Sequence, residues 1–322
     1  MNFRSFFFFV SLTFFASCTL MQEVDAATWN LPTPKTPEMR VLLAAIEGVQ
    51  EFTGEGRFIV HTESKDVWCE EEKESTVSIA YDDGAYTVTC TSGMFITQEP
   101  VQVTAKKLRK RVQALTYSNR PLWNPTLNDN VFYGSLEVVY SMQSHALLLV
   151  NEIPIEKYVR GIAEASNEND SDYLEALMMS ARTYAWYNMQ NPTKHAGEPY
   201  ILDATAGDQV YRGASFSDRA PNIVAAQIAT KRQTITYKGE TIVAPFFSHS
   251  DGRTRSWAEV WNGDYAWSQS VADPCCTEYT ELSGHGVGLS AEGARYFAEQ
   301  EGWKAETILK YYYTGVEIEQ GY

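Results

Sequence analysis

Five cysteines in 322 residues are too few for a disulfide-built scaffold, and they include no Cys-x-x-Cys pair. The five histidines are scattered, with none at zinc-finger spacing and no His-Glu-x-x-His helix, so neither a structural zinc nor a zinc-hydrolase site is expected. Positive charge is scarce as well. Lys and Arg number 26 against 41 Asp and Glu, a net charge of −15. With no basic stripe to displace counterions from phosphates, nucleic acid is not an expected partner. The N-terminal apolar run, Phe6 to Phe15, falls well short of the roughly 20 residues that a spanning helix needs. No internal repeat and no low-complexity tract beyond this first segment is present.

What remains is globular. Apolar residues make up 44 %, and the length favours two domains over one small core. Nineteen Tyr, 15 Phe and 8 Trp provide core as well as rings on which sugars can stack. Arg4 ahead of Phe6–Phe15 reads as a signal peptide over residues 1–26, which implies export to the cell envelope or beyond. Two processing sites compete. Ala16-Ser17-Cys18 resembles a lipobox with Phe15 where Leu is usual, and Val24-Asp25-Ala26 suits an ordinary signal peptidase. Membrane attachment is expected only through this signal or a lipid on Cys18. Export permits disulfides. Cys69 and Cys90 could bridge across a hairpin, whereas adjacent Cys275 and Cys276 could be free or pair elsewhere.

The pattern predicts an α+β fold, a mixed catalytic domain preceded by a β-rich N-terminal portion. Residues 27–38 are a Pro-containing linker, 39–131 the β-rich portion and 132–322 the mixed domain. Ser75–Tyr81 and Ala85–Cys90 alternate around Asp82-Asp83-Gly84, a hairpin signature. Further strands are expected at Phe95–Val103, Phe132–Tyr140 and His145–Val150. Pro154 suits the first position of a short helix to Ile162. Asp170 or Ser171 can cap a second helix to Gln190, with Leu174, Leu177, Met178, Ala181 and Ala185 facing the core. Strand patterns resume at Gln233–Tyr237 and Thr241–Phe247. Ser290 caps a helix to Gln300, and a last helix covers Ala305–Tyr313.

Three segments carry the chemistry: Arg160-Gly161-Ile162-Ala163-Glu164, Ser248-His249-Ser250-Asp251-Gly252-Arg253-Thr254 and Gly284-His285-Gly286-Val287-Gly288-Leu289-Ser290. Glycine lets backbone approach a ligand closely, and loop clusters of His, Ser, Thr and Arg are hydrogen-bonding surfaces. One carboxylate facing two such loops suits a sugar-binding cleft holding a single acid. A competing nucleophile–base pair, Cys275 or Cys276 with His285, is disfavoured by the vicinal cysteines of an exported chain.

Leu149-Val150-Asn151-Glu152-Ile153-Pro154-Ile155-Glu156-Lys157-Tyr158-Val159-Arg160-Gly161 resembles the opening of the stage II sporulation protein D / LytB amidase-enhancer family. Ala181-Arg182-Thr183-Tyr184-Ala185, Asp208-Gln209-Val210-Tyr211-Arg212-Gly213 and the two histidine loops follow in that family's order. The resemblance implies a peptidoglycan-active protein with Glu164 in the catalytic position. Ala165-Ser166-Asn167 stand where the family often has Met-Pro. Where some members bind zinc through Cys and His, this chain has Asp203–Asp208, so no metal or other cofactor is expected.

Two activities follow from the resemblance. One is a lytic transglycosylase acting on peptidoglycan glycan strands. There Glu164 would protonate the leaving oxygen and then serve as base toward the sugar's own 6-hydroxyl. Its acidic neighbours Glu168, Asp170 and Asp172, or partial burial, would raise its pKa. The other is a non-catalytic module that binds peptidoglycan and stimulates a cell-wall amidase. In both, Arg182, Ser248, His249, Ser250, Asp251, Arg253, Thr254, His285, Gly286 and Ser290 are the expected substrate-binding set.

Overall fold

The computed structural model describes residues 36–64 and 67–322. The signal segment, both processing sites and all but the end of the linker lie outside the described residues. Twelve strands come first among them: β1 (Glu38–Ala45), β2 (Gln50–Gly54), β3 (Phe58–Thr62), β4 (Val67–Glu71), β5 (Val77–Asp82), β6 (Ala85–Cys90), β7 (Gly93–Thr97), β8 (Val101–Ala105), β9 (Val112–Ala114), β10 (Val131–Phe132), β11 (Ser135–Ser141) and β12 (Ala146–Pro154). A mixed half follows, with helices α1 (Ile155–Arg160) and α2 (Ser171–Gln190), strand β13 (Leu202–Asp203), and helices α3 (Gly213–Arg219) and α4 (Pro221–Ala229). Then come β14 (Gln233–Tyr237), β15 (Glu240–Thr241), β16 (Phe246–Phe247), α5 (Trp257–Val260), β17 (Leu289–Ser290), α6 (Ala291–Glu299), α7 (Ala305–Tyr312) and β18 (Glu317–Gln320). The fold is α+β, and none of these helices is long and apolar enough to cross a membrane.

Two large sheets carry the first half. One has the order β13-β1-β12-β11-β8-β3-β4, antiparallel except for the β13–β1 pair; the other is β10-β9-β2-β5-β6-β7. Strand β3 buries Phe58, Val60 and Thr62 and leaves Ile59 and His61 half-buried, the period-2 signature of one packed face. Val60, Val103 and Leu149 of the first sheet share a continuous core with Phe52, Ile79 and Val88 of the second, all fully buried. Each such side chain contributes roughly 1.5–3 kcal/mol of burial. The seven-stranded sheet draws β1, β3, β4 and β8 from before residue 131 and β11 to β13 from after it.

Local chemistry explains the turns. Asp83 and Gly84 both have positive φ, 43° and 83°, and join Asp82 to Ala85 in register, as an Asp-Gly hairpin of the right twist requires. The Cys69–Cys90 disulfide forms, but it links β4 in one sheet to β6 in the other rather than crossing one hairpin. Cys275 and Cys276 are joined to each other.

Helix α2 is the pillar of the second half. Asp170 caps it, its carboxylate accepting from the Asp172 N–H at 2.8 Å. Leu174, Leu177, Met178, Ala181 and Ala185 are buried as their spacing predicts. Packed by α1, α4, α6 and α7, α2 is covered on several faces. Pro154 ends strand β12 instead of opening α1, which stops at Arg160 where the Gly161 N–H caps back to Tyr158. The strand expected at 241–247 shortens to its two ends, β15 and β16.

Candidate functional site: one half-buried carboxylate and two zipped loops

Glu164 is fixed by a short antiparallel pairing. Ile162 faces Tyr211, the Ala163 N–H donates to Val210 O at 2.8 Å, and the Arg212 N–H donates to Gly161 O at 2.8 Å. A Cβ at Gly161 would stand 2.4 Å from the Tyr211 ring, so glycine is needed for this approach. Below it, Tyr211 donates to Asn151 (2.8 Å) and Tyr158 to Gln209 (2.9 Å), anchoring both strands in the core. One oxygen of the half-buried Glu164 carboxyl accepts from the Val210 N–H at 2.6 Å. Burial pushes the Glu164 pKa up, and the Val210 N–H opposes this only in part.

The acidic run is not what raises it. Glu168 is exposed, Asp170 caps α2, and Asp172 pairs with Lys304 at 3.1 Å. In place of Met-Pro, the loop after Glu164 is tied to α4 by Asn167, which accepts from the backbone N–H and side-chain amide of Asn222 at 2.8 and 2.9 Å.

The two histidine loops form one structure. Strands β16 and β17 pair in parallel, His249 and Ser283 exchange backbone hydrogen bonds at 3.4 and 3.0 Å, and the Arg255 N–H donates to Gly286 O at 2.7 Å. Gly286 and Gly288 take φ of 80° and 79°, and a Cβ at Gly288 would lie 2.1 Å from Pro245 O. Ser248 is exposed, and its carbonyl accepts from the Glu292 N–H at 3.1 Å in the first turn of α6. Ser290 caps that helix, accepting from the Gly293 N–H at 3.2 Å. His249 stacks on Tyr279 with centroids 4.1 Å apart.

His285 accepts from the Val287 N–H through Nδ1 at 3.0 Å and is bonded to the Phe246 backbone. Burial brings its pKa down to about 4, so its ring is neutral at neutral pH. With Nδ1 accepting, Nε2 carries the proton. Helix α2 begins seven residues after Glu164 and packs against α6, which follows the second histidine loop. Its Tyr173 lies within electrostatic reach of Glu164 and of Glu292 and Arg295 on α6.

Several expected substrate contacts are engaged internally. Arg182 is fully buried. Its guanidinium donates to both Glu156 oxygens (3.1 and 3.2 Å) and to the carbonyls of Met178, Gln227 and Gln233, so it braces α2 against α1 and α4 and faces no cleft. The buried Ser250 donates to Asp273 at 2.8 Å, which also accepts from Tyr312 at 2.8 Å. Thr254 accepts from the Val271 N–H at 2.9 Å. Asp251 pairs with Arg255 at 2.7 Å and Arg253 with Glu259 at 2.9 Å. These residues shape the loop; of the rest of the expected set, Ser248 is exposed and His249 and His285 are half-buried.

Where zinc-binding relatives are expected to carry Cys and His, His195, Asp203 and Asp208 bring potential ligand atoms within 4.8 Å of one another. Here Asp208 is already engaged by the Lys194 ammonium, by His195 Nε2 (2.7 Å) and by the Asp203 N–H (2.7 Å). Burial opposes ionisation of Asp208, but these bonds outweigh it and hold the carboxyl below its usual range.

Sequence reasoning missed the aromatic ridge after Thr254. Trp257, Trp261, Tyr265 and Trp267 meet in successive ring contacts of 4.6 to 6.0 Å, and Trp261 lies 4.9 Å from the His285 ring. Four aromatics within eleven residues of a Gly- and Asp-containing loop were the available signal.

Comparisons with known proteins find a family match over the part of the chain that holds Glu164. Residues 143–237, from β12 to β14, match the family model for stage II sporulation protein. An uncharacterized protein of Brachyspira hyodysenteriae is 30 % identical over 154 residues, 47 % of this chain and 40 % of that protein. Stage II sporulation protein D of Bacillus amyloliquefaciens is 23 % identical over 318 residues, 71 % of this chain and 88 % of its own. That of Bacillus subtilis is 29 % identical over 137 residues, 39 % and 40 % of the two chains. The chain thus spans well under half of two of these relatives and most of the third. The matched segment holds Glu164, its Val210 anchor and the Arg182 brace, and it is over this segment that the chain is similar to the stage II sporulation protein D family.

Proposed function

We propose that the protein is an exported lytic transglycosylase that cuts peptidoglycan glycan strands, with Glu164 as its single acid and base. The observation that carries the reading is the Glu164 carboxyl, desolvated enough to be pushed toward its protonated form and aimed by one backbone N–H. An acid catalyst must hold its proton near the working pH, and burial is the usual way to achieve this.

In the reaction Glu164 gives its proton to the glycosidic oxygen as the bond from that oxygen to the anomeric carbon breaks. The 6-hydroxyl of the same sugar then bonds to the anomeric carbon, and its proton passes to the Glu164 carboxylate. The strand ends in a 1,6-anhydro sugar and the enzyme recovers its proton. A second carboxylate, as most glycoside hydrolases use, is not required because no water is activated. The Ser248 hydroxyl and His249 supply hydrogen bonds to sugar hydroxyl and N-acetyl groups, while the neutral His285 spends its ring nitrogens on Val287 and Phe246 and holds the loop.

The test is Glu164→Gln, which keeps the side-chain shape and removes the transferable proton. Anhydro-ended fragments should fall about 10²-fold or more while glycan binding persists. A wild-type protein that releases no fragments from intact or peptide-stripped glycan, yet accelerates a cell-wall amidase, would replace this reading with the amidase-enhancer role.

A further inference from the structure

The ring contacts do not stop at the histidine loops. From His285 they pass through Trp261 and Trp257 to Tyr265, which stacks on Trp267 at 5.3 Å and 28°. Tyr265 and Trp267, with Tyr187 and Tyr237, line a cavity of about 320 Å³. That cavity shares Tyr187, Glu240 and Thr241 with a second one of about 530 Å³, whose other walls include Gln190, Asn191, Thr236 and Glu319. One surface track therefore leads from the histidine loops over aromatic faces into a trough of amides and hydroxyls.

The track is built, not incidental. The Trp257 indole N–H donates to Asn262 O at 2.9 Å. Ser256 and Glu259 form a reciprocal cap on α5, and Arg253 grips Glu259. The Thr314 N–H holds the Trp267 carbonyl at 2.8 Å. Yet Trp261 and Tyr265 keep 36 % and 39 % of their surface in solvent. Rings held rigid while left wet are preorganised for a ligand, because little side-chain entropy remains to be lost.

We infer that this track is a second glycan-binding region, in which successive sugars of a strand stack on Trp261 and Tyr265 and hydrogen-bond in the trough beyond Tyr187. The composition selects sugar over other occupants. A nucleic-acid strand would need phosphate-binding cations, and Lys238 is the one cation among the residues that line the two cavities. An apolar peptide would leave unmet the amide of Gln190 and the capacity that remains on Asn191 and Thr236 after their bonds to Tyr187 O (3.0 Å) and Glu319 (2.7 Å). Sugars use both halves, with C–H faces on the rings and hydroxyl or N-acetyl groups on the amides. The inference rests on the glycan reading above and extends it from the bond that is cut to the strand that is held. Arg253 acts here as a positioning residue, through Glu259 and α5.

The test uses the full chain and linear oligomers of N-acetylglucosamine, a dimer and a hexamer, titrated by calorimetry. Tyr265→Ala and Trp261→Ala change exposed rings, and circular dichroism confirms that each variant folds. Each should weaken hexamer binding about tenfold and narrow the hexamer-to-dimer affinity ratio. With long glycan as substrate, KM should rise while kcat holds. Unchanged hexamer affinity in both variants, no hexamer binding by the wild type, or weakened binding of an apolar peptide instead would overturn the inference. The two readings fail separately. Should Glu164→Gln cleave like wild type while Tyr265→Ala loses the hexamer, the catalytic assignment falls and the track stands. The reverse result removes the track alone.

Discussion

Arg182→Met separates a framework role from a substrate role for the arginine of the Ala-Arg-Thr-Tyr-Ala segment. Methionine keeps the aliphatic stem and removes the fork. In the native protein that fork holds Glu156, which also accepts from Gln227, from the Arg232 N–H at 2.8 Å and from the Tyr322 hydroxyl at 2.6 Å. Breaking a buried pair by removing one partner costs about 3–5 kcal/mol, because the other charge is left uncompensated. The three remaining donors to Glu156 place the loss near the lower end, about 3 kcal/mol. The carbonyls of Met178, Gln227 and Gln233 lose a donor at the same time. For a protein of this size that is a fall in melting temperature of about 5 °C.

The pH dependence carries a sign. Burial alone would raise the Glu156 pKa, but Arg182 with the hydrogen bonds around it holds the carboxyl below its usual value. Stability from that depression is present above the unfolded pKa and is lost as pH falls through the folded one. Without Arg182 the depression shrinks, so the gap between variant and wild type should narrow in acid. Thermal unfolding at pH 7 and pH 4 measures both effects, alongside glycan affinity at a temperature where both proteins are folded. A variant with wild-type melting and weakened glycan binding would refute the reasoning and return Arg182 to the cleft.

Three further outcomes follow from the loops and the acid. Gly288→Ala forces a side chain at φ 79° with its Cβ 2.1 Å from Pro245 O, which also accepts from Leu289 and Tyr313. Left-handed strain and the displaced backbone should together cost about 3 kcal/mol, and denaturant unfolding indistinguishable from wild type would contradict the zipped-loop geometry. Because burial raises the Glu164 pKa, kcat/KM for glycan cleavage should decline on an alkaline limb lying above the ordinary glutamate range, and a limb at or below that range would count against the acid role. A carboxyl whose folded pKa is raised lends stability below its unfolded pKa and loses it as pH rises through the folded value, so Glu164→Gln should melt no lower than wild type at pH 7.

Where the local chemistry was strong, the sequence announced the structure. Asp-Asp-Gly gave its hairpin, Asp170 and Ser290 their caps, and the Leu174–Ala185 spacing the buried stripe of α2. The order of the motifs led to Glu164 and both histidine loops. What was hidden depended on partners distant in the chain. Arg182 looks like any helical arginine until Glu156, 26 residues earlier, closes on it. Cys69 and Cys90 flank a hairpin in sequence but belong to different sheets, a relation fixed by strand order rather than by spacing. Helices α3 and α4 were overlooked although Pro221 at the start of α4 was a legible signal, as was the Ser256-x-x-Glu259 cap of α5. Asp251, Arg253 and Thr254 show the converse, internal bonds that the loop's sequence did not announce. Polar loop residues invite a binding role, yet a loop held at this precision spends much of its polarity on itself.

The central claim is that Glu164 cuts glycan by proton transfer, and mass spectrometry of the soluble products tests it most directly. Purified wild-type protein and Glu164→Gln are incubated in parallel with peptidoglycan and with peptide-stripped glycan strands. Wild type should release 1,6-anhydro-ended fragments from at least one substrate, and the variant about 10²-fold fewer. Fragments with ordinary reducing ends, or equal yields from the two proteins, would contradict it.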